Sequence, residues 1–165
     1  MKMKTAATIL FLLLLSFAAL GQSTPAPAAP SAAVSSSIAP QDAAAIRATA
    51  LNYVEGWYAG DAERMASALH PELVKRVMTI DSTTGRPRLE VMGKSVLVES
   101  TRRGFGKQTP AAEQQKDVKI LDVFENAASV RATMRDWIDY MHMVKWEGKW
   151  VIVNVLWERK PKPAK

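Results

Sequence analysis

Trp137-Ile138-Asp139-Tyr140-Met141-His142-Met143-Val144-Lys145-Trp146, followed by Glu147-Gly148-Lys149 and then Trp150-Val151-Ile152-Val153-Asn154-Val155-Leu156-Trp157, is the stretch that decides the fold. Two runs rich in aromatic and β-branched residues, separated by a short glycine-containing turn, predict a β-hairpin. On its first strand Ile138, Tyr140, His142, Val144 and Trp146 share one face. Trp137, Met141 and Met143 share the other, interrupted by Asp139 and Lys145. The second strand divides into Trp150, Ile152, Asn154 and Leu156 against Val151, Val153, Val155 and Trp157. Both faces are therefore largely apolar, where a sheet solvated on one side would alternate between apolar and polar. Helices of the same chain cover one face. The other is expected to meet a second copy, making the protein a homodimer through its outer sheet face.

Working back from the hairpin, Asp117 to Phe124 alternates, Glu125-Asn126-Ala127 turns, and Ala128 to Asp136 returns, so the C-terminal third reads as a meander. The segment before it is helical at both ends. Asp42 to Tyr58 carries Ile46, Ala50, Tyr53, Val54, Trp57 and Tyr58 at three- and four-residue spacing, with Asp42 as the expected N-cap. Gly60-Asp61 breaks that helix, and Asp61 caps a second, Ala62 to Leu69, which His70-Pro71 ends because a residue preceding proline is pushed out of the α region. Glu72 to Ile80 and Arg88 to Met92 read as strands, and Lys94 to Arg103 as a helix stopped by Gly104-Phe105-Gly106. Helices first and an antiparallel sheet afterwards make an α+β domain. A strongly curved sheet wrapped round a long helix leaves a hollow at its open end, where small ligands bind.

The first residues have a different character. Met1-Lys2-Met3-Lys4, the apolar run Ile9 to Leu15 and Ala19-Leu20-Gly21 supply a positive region, an apolar region and a small-residue cleavage site in that order. Residues 1–21 therefore read as a signal peptide, too short and too early for a membrane span, and the mature chain is expected to be secreted or periplasmic with no transmembrane segment. Residues 22–41 hold four prolines among Ala, Ser and Thr and read as a disordered tether, because they carry too little apolar surface to offset the entropy of ordering. Residues 42–160 form one domain and residues 161–165 a basic tail. Without Lys2 and Lys4 the chain keeps 20 basic residues against 16 acidic ones, a net charge of +4, scattered rather than gathered into a stripe. That distribution argues against nucleic acid as a partner. There is no cysteine, so neither disulfides nor lipid attachment through an N-terminal Cys enters.

The order of helix, Tyr58-Ala59-Gly60-Asp61, second helix, His70-Pro71, mid-chain helix and strands ending Asp139-Tyr140-Met141-His142-Met143 and Gly148-Lys149-Trp150-Val151-Ile152-Val153-Asn154 resembles the NTF2-like superfamily. Within it the chain is most similar to the small proteins labelled putative lumazine-binding, close to the SnoaL-like group, over Asp42 to Glu158. The resemblance implies a cone with N-terminal helices packed against a strongly curved, mainly antiparallel sheet. It leaves activity open, because the superfamily includes isomerases, hydrolases, cyclases, ligand carriers and association domains. The lumazine label does not by itself imply that lumazine is bound. Tyr53 stands eight residues before Asp61, the spacing at which the superfamily's ketosteroid isomerases place an oxyanion-binding tyrosine, but Val77 occupies the position of their aspartate base. Tyr53 then reads as a core residue whose hydroxyl needs a partner.

Two histidines remain as titratable candidates. His142, with Tyr140 on the same face and Asn154 on the neighbouring strand, would make a polar cluster in the hollow, and His70 sits beside the end of the second helix. The expected ligand-binding residues are Trp57, Tyr58, Tyr140, His142 and Asn154, with His142, His70 and Tyr140 as candidate acid and base for any reaction. No metal site or cofactor is expected, since two distant histidines without a Cys pair lack metal-ligand spacing, and no nucleophile elbow, phosphate loop or glycine fingerprint occurs. The leading reading is an exported, non-catalytic module for a small, partly aromatic or apolar ligand. The alternatives are a SnoaL-type isomerase, cyclase or hydrolase, and a dimeric scaffold whose hollow is closed by Met65, Met78, Met92, Met141 and Trp157.

Overall fold

A computed structural model describes residues 38–161. The expected signal peptide, most of the expected tether and the tail beyond Pro161 lie outside the described residues. Helix α1 spans Pro40–Ala59, α2 Ala62–Ser67 and α3 Lys94–Arg102, and the strands are β1 Leu69–Ile80, β2 Pro87–Gly93, β3 Asp117–Phe124, β4 Ala127–Thr133, β5 Trp137–Trp146 and β6 Lys149–Arg159. The six strands form one curved sheet in the order β2-β1-β6-β5-β4-β3, antiparallel except where β1 runs parallel to β6. The architecture is the α+β cone anticipated above, with the three helices on the inner face of the sheet. No helix among the described residues is long and apolar enough to cross a membrane.

α1 starts two residues earlier than its apolar periodicity suggests, because Pro40 occupies the first turn, where its fixed φ suits a helix and its missing N–H costs nothing. Asp42 is consequently inside the helix and is not its N-cap. Its carboxylate accepts instead from Lys145 Nζ and Trp150 Nε1, both at 2.9 Å, tying the start of the helix to the hairpin. Gly60 closes α1 in the left-handed conformation, and Asp61 caps α2 by accepting from the Arg64 backbone N–H at 2.9 Å. His70-Pro71 lies within β1 rather than at a helix end. α2 stops at Ser67, and the chain is already extended at Leu69, consistent with the restriction that proline places on the preceding residue.

The core lies between α1 and the inner sheet face. Ile46, Ala50 and Val54 of α1 and Met65 of α2 pack with Val130 and Ala132 of β4, Met141 and Met143 of β5, and Ile152 and Val155 of β6, all nearly or wholly excluded from solvent. Ile152 and Val155 differ in parity, yet both are buried. A β-bulge explains this: His142 pairs with Asn154 and Met143 with Ile152, so Val153 is the extra residue on β6. Strict alternation put Trp150 and Ile152 opposite Val155 and Trp157, but the bulge returns all four to the inner face.

The outer face is left uncovered by the helices of the described residues. Tyr140, Leu156, Met78, Leu89 and Val91 are each about half exposed or more. Tyr140 pairs with Leu156, Leu156 with Arg76, Arg76 with Val91, and Met78 with Leu89, which makes these side chains neighbours across four strands.

Candidate binding cavity

At the open end of the cone a cavity of about 440 Å³ lies between α1, α3 and the inner sheet face. Its apolar walls are Trp57, Met92, Leu97, Met134, Trp137 and Trp157, with Phe105, Glu90 and Arg159 exposed at its mouth. The tryptophans meet edge to face: Trp57 and Trp137 are 5.9 Å apart by ring centroids, and Trp137 and Trp157 6.0 Å. This geometry fixes the walls and leaves ring surface toward the cavity.

The buried polar content of the cavity is concentrated in one cluster. Lys75 of β1 and Tyr53 of α1 contribute to the lining, and Asp139 of β5 lies behind them, fully buried. Lys75 Nζ donates to Tyr53 Oη at 2.6 Å and to Asp139 Oδ1 at 2.9 Å, while Tyr53 Oη donates to Asp139 Oδ2 at 2.7 Å. The ammonium also lies 5.1 Å from the centroid of the Trp157 ring and 5.3 Å from that of Tyr53, within cation–π range. Both charges are almost completely removed from water, with side-chain exposures of 7% for Lys75 and 0% for Asp139. The closed triangle of hydrogen bonds is what permits two charges in the core, since either one alone would be strongly disfavoured. The Lys75 ammonium has three N–H donors and two of them are engaged, one by Tyr53 and one by Asp139.

The residues expected to line the hollow are distributed over both sides of the sheet. Trp57 is in the cavity wall. Tyr58 is buried behind it, its hydroxyl donating to the Gln115 carbonyl at 3.1 Å and accepting from the Arg135 N–H at 3.0 Å. Tyr140, His142 and Asn154 do share one face, but it is the outer one: Asn154 Nδ2 is 3.3 Å from His142 Nδ1, and Arg76 donates to Asn154 Oδ1 at 2.9 Å. They are on the opposite side of the sheet from the cavity because β5 turns Trp137, Asp139, Met141 and Met143 inward. His70 lies near the far end of the hairpin, edge-on to Trp146 with 5.1 Å between centroids, its Nδ1 accepting from the Glu72 N–H. The residues expected to fill the hollow also separate. Met65 and Met141 are in the core, Met78 is on the outer face, and Met92 and Trp157 stand as walls around space that remains open.

A family model described as putative lumazine-binding matches residues 41–158. The chain belongs to this putative lumazine-binding family. No curated protein matches it. Among solved structures it is similar to an NTF2-like protein of unknown function from Shewanella baltica OS155, with a TM-score of 0.61 and 22% identity over 74% of this chain and 96% of that one. It is also similar to an NTF-2-like protein of unknown function from Silicibacter pomeroyi DSS-3, with a TM-score of 0.56 and 16% identity over 73% and 97% of the two chains. A ketosteroid isomerase-like protein from Erwinia carotovora atroseptica has a TM-score of 0.54 and 17% identity over 75% and 100%. At these identities the likeness is one of fold, and the fold is NTF2-like.

In this NTF2-like domain the cluster has an electrostatic signature. Burial, followed by the adjacent Asp139 charge, holds the Tyr53 hydroxyl well above its ordinary value. Burial also lowers Lys75, and Asp139 only partly opposes that shift. For Tyr53 the folded state keeps its proton more tightly than the unfolded state, so its contribution to stability is full below the ordinary tyrosine value of about 10 and is lost as pH rises beyond it. For Lys75 the unfolded chain binds the proton more tightly, so its contribution rises with pH up to about 10.5. The expected result is a stability that falls above about pH 10, and falls less steeply in Tyr53→Phe. Urea titrations of the two proteins on either side of that pH make the measurement. Parallel losses in both would mean that Tyr53 does not govern the alkaline limb.

Proposed function

We propose that this chain is an exported, non-catalytic binding module for a small, flat, largely apolar molecule carrying an oxygen acceptor. The observation that carries the reading is the cavity itself: three tryptophans, two methionines and a leucine surround a single buried polar cluster, with Glu90, Ser100 and Arg159 nearer the mouth, the proportion typical of small-molecule sites. An apolar ring matches the walls. A carbonyl or phenolic oxygen matches the ammonium of Lys75, whose third N–H is left over from its bonds to Tyr53 and Asp139. The indole N–H groups of Trp57 and Trp157 are buried without an acceptor among the described residues, so the rings present carbon faces rather than donors to the cavity. A bicyclic ring such as lumazine belongs to this chemical class, which makes it a reasonable probe and no more than that. The non-catalytic reading is preferred because His142, His70 and Tyr140, the candidate acid and base residues, do not line the cavity. Export rests on the sequence of residues 1–21.

Native mass spectrometry of the protein purified gently from its own host tests the reading, with Ser100→Trp as control. Ser100 is a small lining residue, so tryptophan there fills the cavity without opening the core. The expected result is a defined small molecule retained by the wild type and lost in Ser100→Trp. An empty wild type, with no thermal shift across a panel of ring compounds that includes lumazine, would favour the scaffold.

The same spectra report the assembly. The proposal includes a homodimer in which a second copy covers Tyr140, Leu156, Met78, Leu89 and Val91. A doubled mass for the wild type and a single mass for Leu156→Glu are expected. A wild-type monomer at tens of micromolar would overturn the dimer without touching the ligand reading.

A further inference from the structure

Lys75 is the only buried lysine among the described residues, and it is a cavity-lining one. Lysines become nucleophiles when an apolar site disfavours the ammonium and a neighbouring group can take its proton. Both conditions are met here. The Nζ atom is enclosed by Trp157, Tyr53 and the sheet, and a fully buried carboxylate stands 2.9 Å away as proton acceptor. Tyr53 Oη, 2.6 Å from Nζ and 2.7 Å from Asp139 Oδ2, touches both partners of that transfer. The cavity beside Nζ is large enough for a two-ring molecule and opens past Phe105, Glu90 and Arg159.

We propose that Lys75 captures aldehydes or ketones of aromatic type as a reversible imine, so that the ligand is held covalently. This rests on the binding reading above and names the functional group of its ligand. Asp139 takes one proton from the ammonium, and the freed lone pair of Nζ attacks the carbonyl carbon. The C–N bond forms as the C=O π pair moves to oxygen, and a proton passes from nitrogen to that oxygen to give the carbinolamine. The proton held by Asp139 then returns, with Tyr53 Oη as relay, to the carbinolamine hydroxyl, which leaves as water while C=N forms. The product is a protonated imine paired with the Asp139 carboxylate, so charge and hydrogens balance and no oxidant or reductant is consumed. The pairing with Asp139 is kept from start to finish, which spares the site an uncompensated buried charge. The lowered proton affinity of Lys75, caused first by burial, agrees with this chemistry.

The test uses two probes of the same shape, 2-naphthaldehyde and 2-naphthalenemethanol, on the purified protein. Tryptophan fluorescence is expected to be quenched by both, since both fit between Trp57, Trp137 and Trp157. Sodium borohydride added with the aldehyde is expected to leave one naphthylmethyl group, which peptide mapping places on Lys75 ahead of every other lysine. Competing naphthalenemethanol should suppress that label, and Lys75→Arg should lose it. Reduced label spread over exposed lysines with Lys75 unmodified, while the alcohol still quenches, would overturn covalent capture and leave binding intact. Absence of quenching by either probe would overturn both. The wild-type peptide map decides the matter even if Lys75→Arg does not fold.

Discussion

Asp139→Ala is expected to destabilise the domain by about 3–5 kcal/mol, the cost of leaving a buried charge without its partner. Lys75 and Asp139 are joined at 2.9 Å with almost no solvent contact, and removing the carboxylate also strips Tyr53 Oη of its acceptor. A domain of this size has a total stability of about 5–15 kcal/mol, so the variant loses a large fraction of it. The loss also carries a pH signature. Without Asp139 the folded state favours neutral Lys75 still more, and the unfolded chain then binds the extra proton, so the variant regains stability as pH rises toward the ordinary lysine value of about 10.4. A plain cavity would give no such recovery. Lys75→Met combined with Asp139→Leu is expected to restore most of the loss, because replacing both charges removes the desolvation cost along with the attraction. Urea midpoints of the three proteins at two pH values settle the point. A loss below about 1 kcal/mol for Asp139→Ala would mean that the pair behaves like a surface ion pair and that water reaches it.

The same pair shows where the sequence could be read and where it could not. The α+β order, the Gly60-Asp61 break and cap, and the meander were legible because each depends on neighbours in the chain: periodicity, a capping side chain, a turn residue. The side of the sheet that holds the cavity was not. His142, Tyr140 and Asn154 were grouped by strand alternation and cross-strand pairing, and that grouping suggested a ligand site, but the face they share is the outer one. The informative residues were the lone charges interrupting apolar faces. Asp139 stands among Trp137, Met141 and Met143, and Lys75 between Leu73 and Val77. A single charge at an inward position needs a partner, and two such charges of opposite sign are each other's best candidates. Their meeting depends on β6 separating β1 from β5, with α1 supplying Tyr53 above, a long-range arrangement that no local pattern encodes. The bulge at Val153 is equally non-local: nothing in Val151-Ile152-Val153 marks the residue that drops out of register.

Gly106→Ala is expected to cost about 3 kcal/mol or more and to deform the cavity mouth, although Gly104-Phe105-Gly106 reads in the sequence only as a helix stop. Gly104 performs that stop, with φ of 76° just beyond the end of α3. Gly106 has another task. A Cβ there would lie 2.1 Å from the Trp57 carbonyl oxygen and 2.6 Å from both the Trp57 carbonyl carbon and its ring Cδ1. Two of those atoms are backbone in the last turns of α1, which no rotamer change can move aside. Either the segment carrying Phe105 lifts away from α1, or the end of α1 is displaced and takes Trp57 with it. Phe105 and Trp57 both border the cavity, so each route alters its shape. Quenching of tryptophan fluorescence by 2-naphthalenemethanol should therefore weaken together with the urea midpoint. Gly85→Ala is the control, since a Cβ at Gly85 meets nothing within 4 Å and the strain there comes only from its φ of 68°. A cost of about 1 kcal/mol with quenching unchanged is expected for it. Equal effects of the two substitutions would mean that the close approach to Trp57 is relieved at little cost, since Gly106 itself is not in the left-handed conformation.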